Sequence, residues 1–344
     1  MRIVACSIGL IAAMLLIGCS GKKAYLPDSA GGQGEVLVVM SNGHWEGEPG
    51  AAVRSIFEQA INGLPQREAR FKLAQTTPES FGTLLAAHHS VLLAVIDGAV
   101  DTVGVVRQRN KYAKGQLLVQ ISAKDPVSWI GLLQREGYAA ADLLEEHQRT
   151  RVGMRLARER DAALVSSLKA QYGITLDVPG GYRVMEQEPH FTWLQRDRIV
   201  TGSGLDHNVI EGVLIHVHSY TSDSTFSVPF LVEQRDSVTA AFVEGPSPGS
   251  YMVVQREFEG TDLMPTSRSV TVDGRFGYLM HGLYGMQGAK MGGPFVSLSS
   301  VDEARGRLIT VEGFVYAPQF DKREYVRELE ALLFSLRVAP TASP

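Results

Sequence analysis

The stretch Glu35 to Met40, EVLVVM, is apolar, rich in β-branched residues and free of polar alternation, the pattern of a strand buried on both faces. A loop with Gly43, Gly47, Pro49 and Gly50 follows, and an amphipathic helix is predicted from about Ala51 to Asn62. Arg70 to Gln75 and Ser90 to Ile96 read as the next strands, with a helix from Pro78 to His88 between them. Gln116 to Ser122 (QLLVQIS) adds a strand and Pro126 to Arg135 a helix. Strands alternating with helices at this spacing predict an α/β domain over residues 35–137. From Tyr138 to Tyr172 the pattern is charged and helical, with an intermittent stripe of Leu144, Val152, Leu156, Leu164 and Leu168. It predicts a helix over 138–172 that links two halves.

The second half, 173–338, has another rhythm. Ile174 to Val178, Tyr182 to Gln187, Phe191 to Gln195 and Val213 to Tyr220 are short strands joined by turn residues, and Phe226 to Val243 has helical spacing. Strands follow at Tyr251 to Phe258, Ser269 to Val272, Gly277 to Leu283, Phe295 to Ser300 and Leu308 to Tyr316. A closing helix from about Lys322 to Leu336 carries Val326, Leu329, Leu333 and Leu336 on one face. The expected class is α+β with two α/β-type domains, the second a mainly antiparallel sheet flanked by helices and closed by a C-terminal helix, with a tail at 339–344. This order of elements is similar to small sandwiches of photosystem and nuclear-transport accessory proteins, a likeness of fold alone.

Ahead of the first strand, Arg2 precedes an almost uninterrupted apolar run from Ile3 to Ile17, too short to span a bilayer and fitting a secretory signal over 1–18. It ends in Leu16-Ile17-Gly18-Cys19, which is similar to a bacterial lipobox: small Gly18 admits the peptidase, and the Cys19 thiol is the nucleophile that takes the lipid. The plainer reading is a cleaved signal that contains a cysteine. At ~0.8 kcal/mol per buried methylene, two or three acyl chains would anchor the chain for good. Residues 19–34, with Lys22, Lys23 and Pro27, read as a flexible tether. No acidic cluster of the kind seen in some surface-export signals follows Cys19, which favours the periplasmic face of the outer membrane.

Removing residues 1–18 from the 344 leaves 326, about two domains at ~150 residues each. Apolar residues at 44% and charged residues at 20% exclude a disordered, collagenous or coiled-coil chain. Loss of Arg2 leaves 32 basic against 37 acidic residues, a net charge of -5, and without a basic run the chain is a poor nucleic-acid binder. Cys6 leaves with the signal and Cys19 is acylated, so disulfide and thiol chemistry are excluded beyond residue 19.

Six constellations invite a closer reading. The turn Gly43 to Gly50 before a helix has the place of a phosphate loop, but Glu46 and Glu48 repel an anion. Gly245-Pro246-Ser247-Pro248-Gly249 spells a hydrolase elbow, yet Pro248 lacks the N-H that the oxyanion hole requires, so it reads as a rigid loop. His216 and His218 share one face of a strand and offer two imidazoles to a metal, with His207, His190 or Asp206 as further ligands; the plainer reading is exposed histidines on a solvated face. The segment His281 to Phe295, HGLYGMQGAKMGGPF, reads as a glycine-rich loop, either a ligand or partner groove or a packed crossing at the sheet edge. Lys290, Gly292 and Gly293 within it, with Lys322 and Arg323, form the expected contact surface. Lys322 and Arg323 oppose the dipole of the last helix, whose plausible N-cap is Asp321, so they call for carboxylates in the domain or for an anionic ligand. Arg235-Asp236 reads as an ion-paired turn at a helix end.

The lipobox, Leu26-Pro27 with Ser29 and Gly31 before EVLVVM, Trp45, Leu64-Pro65-Gln66 and Phe71 together resemble an uncharacterised lipoprotein family. Trp193, Arg235-Asp236, Met291 to Phe295, and Gly313-Phe314-Val315-Tyr316-Ala317-Pro318 before Lys322-Arg323 extend the likeness over nearly the whole mature chain. The chain is similar to domain-of-unknown-function family 4837. The family pattern has R-G-L-W where His281-Gly282-Leu283-Tyr284 stands, and proline at Ala69. The resemblance implies an envelope lipoprotein and brings no substrate.

The expected function is therefore a non-catalytic binding or assembly module, held to the membrane through Cys19, with an envelope protein as partner and no cofactor. A metal-assisted envelope hydrolase using His216 and His218, or a carrier of lipid or glycan, are the rivals.

Overall fold

The structure, a computed structural model, describes residues 26–340; Cys19, the signal and most of the expected tether lie outside the described residues. The first half comprises β1 (Glu35–Val39), α1 (Asn42–Glu46), α2 (Glu48–Phe57), β2 (Lys72–Thr76), α3 (Thr83–Ala86), β3 (Ser90–Ile96), β4 (Gly104–Arg109), β5 (Leu117–Ala123) and α4 (Pro126–Glu159). Its sheet runs β2-β1-β3-β5-β4, parallel except for the edge strand β4. Val36, Val38, Leu92 and Val119 pack on one face against Val53 and Phe57 of α2 and Trp129, Leu133 and Ala140 of α4. Leu37, Val39, Val91 and Leu118 fill a smaller core on the other face, beside Phe81. Both faces being buried, these strands are continuously apolar rather than alternating.

The second half begins with α5 (Ala162–Tyr172), β6 (Ile174–Thr175), β7 (Arg183–Glu188), β8 (Phe191–Gly202), β9 (Leu205–Ser219), α6 (Val228–Phe242), β10 (Tyr251–Val254), β11 (Glu257–Phe258) and β12 (Thr261–Asp262). It continues through β13 (Thr266–Val272), β14 (Arg275–Gln287), β15 (Gly292–Asp302), β16 (Arg307–Tyr316), α7 (Arg323–Leu333) and β17 (Arg337–Val338). An antiparallel sheet runs β10-β14-β15-β16-β9-β8-β7, with β13 also on β14. Helix α6 covers one face, where Leu231, Val232 and Val238 meet Met280, Phe295 and Phe314. Helices α5 and α7 cover the other, where Leu168, Val326 and Leu329 meet Ile215, Leu298 and Val311. The protein is thus α+β, its second sheet antiparallel, flanked by helices and closed by α7.

The link between the halves differs from expectation. One helix, α4, runs unbroken for 34 residues, about 51 Å at 1.5 Å per residue, and it starts at Pro126 rather than 138. Gly137 lies inside it, and since a Cβ there would sit 2.9 Å from Ile56 Cδ1, the glycine lets α2 approach. The break comes at Arg160, which is extended, and Asp161 then caps α5 by accepting from the N-H groups of Ala163 and Leu164 at 2.8 and 3.2 Å. The helix expected over Pro78 to His88 shrinks to the four residues of α3.

The glycine-rich segment 281–295 is also not a loop. It is the end of β14, a turn around Gly288 with φ +84°, and the start of β15. A Cβ on Gly293 would lie 2.0 Å from the Val315 carbonyl oxygen, one on Gly292 2.6 Å from the Tyr284 oxygen, and one on Gly282 2.7 Å from the Phe295 ring. These glycines are close approaches between strands, so bulky residues at Gly292 and Gly293 break the fold rather than a partner contact. Gly293→Ala is expected to destabilise by more than about 2 kcal/mol, since backbone must move. Gly43→Ala in α1, where a Cβ meets nothing within 4 Å, should instead stabilise by roughly 0.5 kcal/mol. Chemical denaturation of the two variants measures both.

Candidate functional site

A cleft of about 380 Å³ opens where the two halves meet. One wall is the segment after α2, including Gln59, Asn62 and Leu64; the other is formed by Thr266 and Arg268 of β13, His281 of β14, and α7. The walls are fixed by Glu68. This buried carboxylate, 6% exposed, accepts from the backbone N-H of Lys322 at 2.7 Å and of Arg323 at 2.8 Å, capping α7 from a position 254 residues away in sequence. Asp321, the expected N-cap, does not cap the helix; Lys322 occupies that position and makes no side-chain cap bond. Arg323 returns a bond to the Ala69 carbonyl at 2.7 Å, and Arg327 donates to the Arg70 carbonyl and to Glu145. Arg70 in turn reaches Asp142 and Glu145, each at 2.6 Å.

Further along α7, Glu330 gathers two guanidinium groups and an imidazole. Arg149 of α4 donates to it at 2.9 Å, His281 Nε2 lies at 3.1 Å and Arg268 at 3.7 Å. Burial opposes ionisation of Glu330, but the His281 bond and the charges of His281, Arg149 and Arg268 outweigh it and bring the carboxyl down to about 2. Of these three groups Arg268 is the most exposed, at 55%, and its guanidinium stands at the cleft mouth facing solvent.

The expected contact surface is taken apart. Lys322 and Arg323 are 6% and 4% exposed and serve the interdomain contact, because the carboxylates they call for come from the chain itself. Lys290 and Gly292 are exposed at the β14–β15 turn, while Gly293 is buried. Sequence reasoning missed Glu68; the signal was the pair of cations in the first turn of α7.

The metal alternative also fails on geometry. His216 Nδ1 and His218 Nε2 are 2.9 Å apart and bond each other, and His216 is only 4% exposed beneath α6, not on a solvated face. Burial, then His218 and Arg235, push His216 down to about 3, so it stays neutral. His207 packs edge-on against Phe320, and Asp206 accepts from Thr201. Among the described residues no group of three or more His, Cys, Asp or Glu is placed to hold a metal. The adjoining cavity of about 10 Å³ has room for one water and no substrate.

Arg235 is not in a terminal turn either. It lies inside α6, 2% exposed, donating to Glu312 at 2.8 to 3.0 Å and stacking 4.1 Å above Phe295. Burial raises the pKa of Glu312 against the pull of Arg235. The Gly245 to Gly249 stretch is a loop in which Ser250 Oγ donates to the Ser247 carbonyl.

Fold and cleft define an α+β protein with two large sheets and a polar cleft where its halves meet. The chain belongs to the family "Domain of unknown function (DUF4837)", which matches residues 161–335. The first half, residues 29–157, matches "Domain of unknown function (DUF8532)", so the likeness of the first-half motifs falls under that second family. The two matches meet at the α4–α5 break. No curated protein matches the chain. Among solved structures it is similar to the Ran-binding protein Mog1p of Saccharomyces cerevisiae, with 14% identity over 48% of this chain and 90% of that one, TM-score 0.30. It is also similar to LpqN of Mycobacterium tuberculosis, described as involved in cell envelope biogenesis, with 11% identity over 48% and 83%, TM-score 0.26. At such TM-scores neither likeness carries an inference about activity.

Two outcomes test the charge network. Glu330→Gln should cost on the order of 2–3 kcal/mol at neutral pH. Because the folded pKa is depressed, this contribution is present above the ordinary carboxylate range and fades as pH falls toward 2, so unfolding curves of wild type and variant should converge in acid. Glu68→Ala leaves two buried amides without an acceptor, at a cost of about 1–3 kcal/mol. Hydrogen exchange should then quicken at Lys322 and Arg323 while β3 and β5 stay protected.

Proposed function

We propose that the protein is a non-catalytic binding module, tethered through a lipid on Cys19 to the periplasmic face of the outer membrane, that recognises an envelope partner with its interdomain cleft. One observation carries the reading. Leu64 and Arg323, which mark the family resemblance, and His281, where the chain departs from it, stand far apart in sequence and line this one cleft, next to Ala69, the other departure. Fixed ion pairs hold the walls, while the exposed Arg268 beside His281 offers a partner carboxylate a charged donor. The family pattern sets an arginine at 281, where this chain keeps a nitrogen donor to Glu330. An acyl cargo suits the cleft poorly, since Arg268, His281, Thr266 and Gln59 line it with polar groups. The anchor is supported by the h-region and lipobox, and among the described residues no helix is long and apolar enough to cross a membrane.

Globomycin or Cys19→Ala should leave a larger, unprocessed chain that keeps its apolar signal, and metabolically supplied palmitate should label the wild type but not Cys19→Ala; unchanged size with no labelling of the wild type would remove the anchor. For the cleft, p-benzoylphenylalanine in place of Thr266 should give a discrete light-dependent adduct in whole cells, lost when Arg268→Glu is added. The same label at Leu84, 87% exposed on the first domain, is the reference site. An identical adduct pattern from both positions, or none from 266, defeats the reading.

A further inference from the structure

A second concave site lies away from the cleft, and its charges are not balanced. We propose that the α4 face carrying Arg151 and Arg158, with the adjoining pocket, docks the protein on the phosphate headgroups of anionic phospholipids. The pocket measures about 550 Å³ and is lined by Asp28, Gly34, Lys114, Arg151, Arg155 and Arg158, among others. Positions 151, 155 and 158 fall on one face of α4 by helical spacing.

Arg151 is half-buried, and its guanidinium is spent on neutral oxygens: Ser29 Oγ at 2.7 Å and the Gly115 carbonyl at 3.0 Å. Burial pushes it down, with no opposing carboxylate. Its field helps hold two neighbouring imidazoles neutral; His89 is brought to about 4, mainly by burial. Arg158 is exposed and has no carboxylate within 4 Å among the described residues. Arg155 is paired with Glu159 and Glu328 and adds no net charge. A guanidinium held in a pocket without a counter-ion is the arrangement that accepts a phosphate oxygen pair. Met154, 53% exposed, stands beside this row and gives it an apolar contact for the interface.

The location supports a lipid source rather than a soluble phosphate. Asp28 to Gly34 form the pocket rim, and Leu26 follows Cys19 by seven residues, a reach of at most ~24 Å when fully extended. This step rests on the reading of Cys19 as the anchor. The contact itself needs no anchor, and the mature chain, at a net charge of -5, has no general attraction to an anionic surface.

The test uses residues 20–344, which keep every described residue, in co-sedimentation with vesicles of phosphatidylethanolamine and phosphatidylcholine, with or without phosphatidylglycerol. Binding should require phosphatidylglycerol and fall steeply as salt is raised. Arg158→Gln, at an exposed position, should weaken it about five-fold with an unchanged circular dichroism spectrum. Arg151→Gln should weaken it at least as much, while Arg268→Gln in the other cleft should leave it unchanged. Equal binding to neutral vesicles, indifference to both α4 variants, or calorimetric binding of inorganic phosphate without vesicle binding each overturn the proposal. Because these chains lack Cys19, the outcome is independent of the globomycin result.

Discussion

A single buried carboxylate decides how the two halves of this protein meet. Helix α7 opens with Lys322 and Arg323, whose charges oppose the positive end of the helix dipole, and it has no cap of its own. Glu68 supplies the missing acceptor from the other domain, binding both N-terminal amides. Once that contact is made, Arg323 and Arg327 fall within reach of the Ala69 and Arg70 carbonyls, and Arg149 and Arg155 of α4 meet Glu330 and Glu328 one face along. Hydrogen-bonded ion pairs of this kind are directional, so they fix the angle between domains as well as their contact. The cleft walls are therefore positioned by charge, while each domain is held by its own apolar core.

Much of what the family likeness picks out serves packing. Arg235 and Glu312 form a pair sealed between α6 and the sheet, where the low polarity makes the pair costly to break and gives little net stability by comparison with apolar neighbours. Phe295 lies under the Arg235 guanidinium, and Gly293 lets β15 reach the Val315 carbonyl. These motifs describe how one sheet face is closed. The chemistry available to a partner is left to other places: the Arg268–His281 corner between the domains, and the basic face of α4 beside the chain's entry into the fold.

Those two places differ in charge balance. In the cleft each inward arginine has a carboxylate, and Arg268 alone reaches outward. On α4, Arg151 is held by neutral oxygens. A balanced site selects a partner by shape and by one or two directed bonds, whereas an unbalanced one attracts any anionic surface over a Debye length, ~8 to 10 Å at physiological salt.

The strands at 35–39 and 90–96, the closing helix and the α+β class were legible because apolar period reports burial directly, and burial is a property that a short stretch carries by itself. The sequence also carried the need for a carboxylate near Lys322 and Arg323, since the clash of cations with a helix dipole is local. Three things it could not carry. The glycines of 281–295 read as a loop, but Gly282 and Gly293 are close contacts with Phe295 and Val315, partners that only the folded chain supplies. His216 and Arg235 read as surface groups because nothing nearby in sequence buries them; α6 and the sheet do. Glu68 gives no local sign that it caps a helix 254 residues on. Local sequence sets which groups need burial or a counter-charge, and the tertiary structure decides who provides it, because burial and ion pairing depend on distances that chain spacing does not contain.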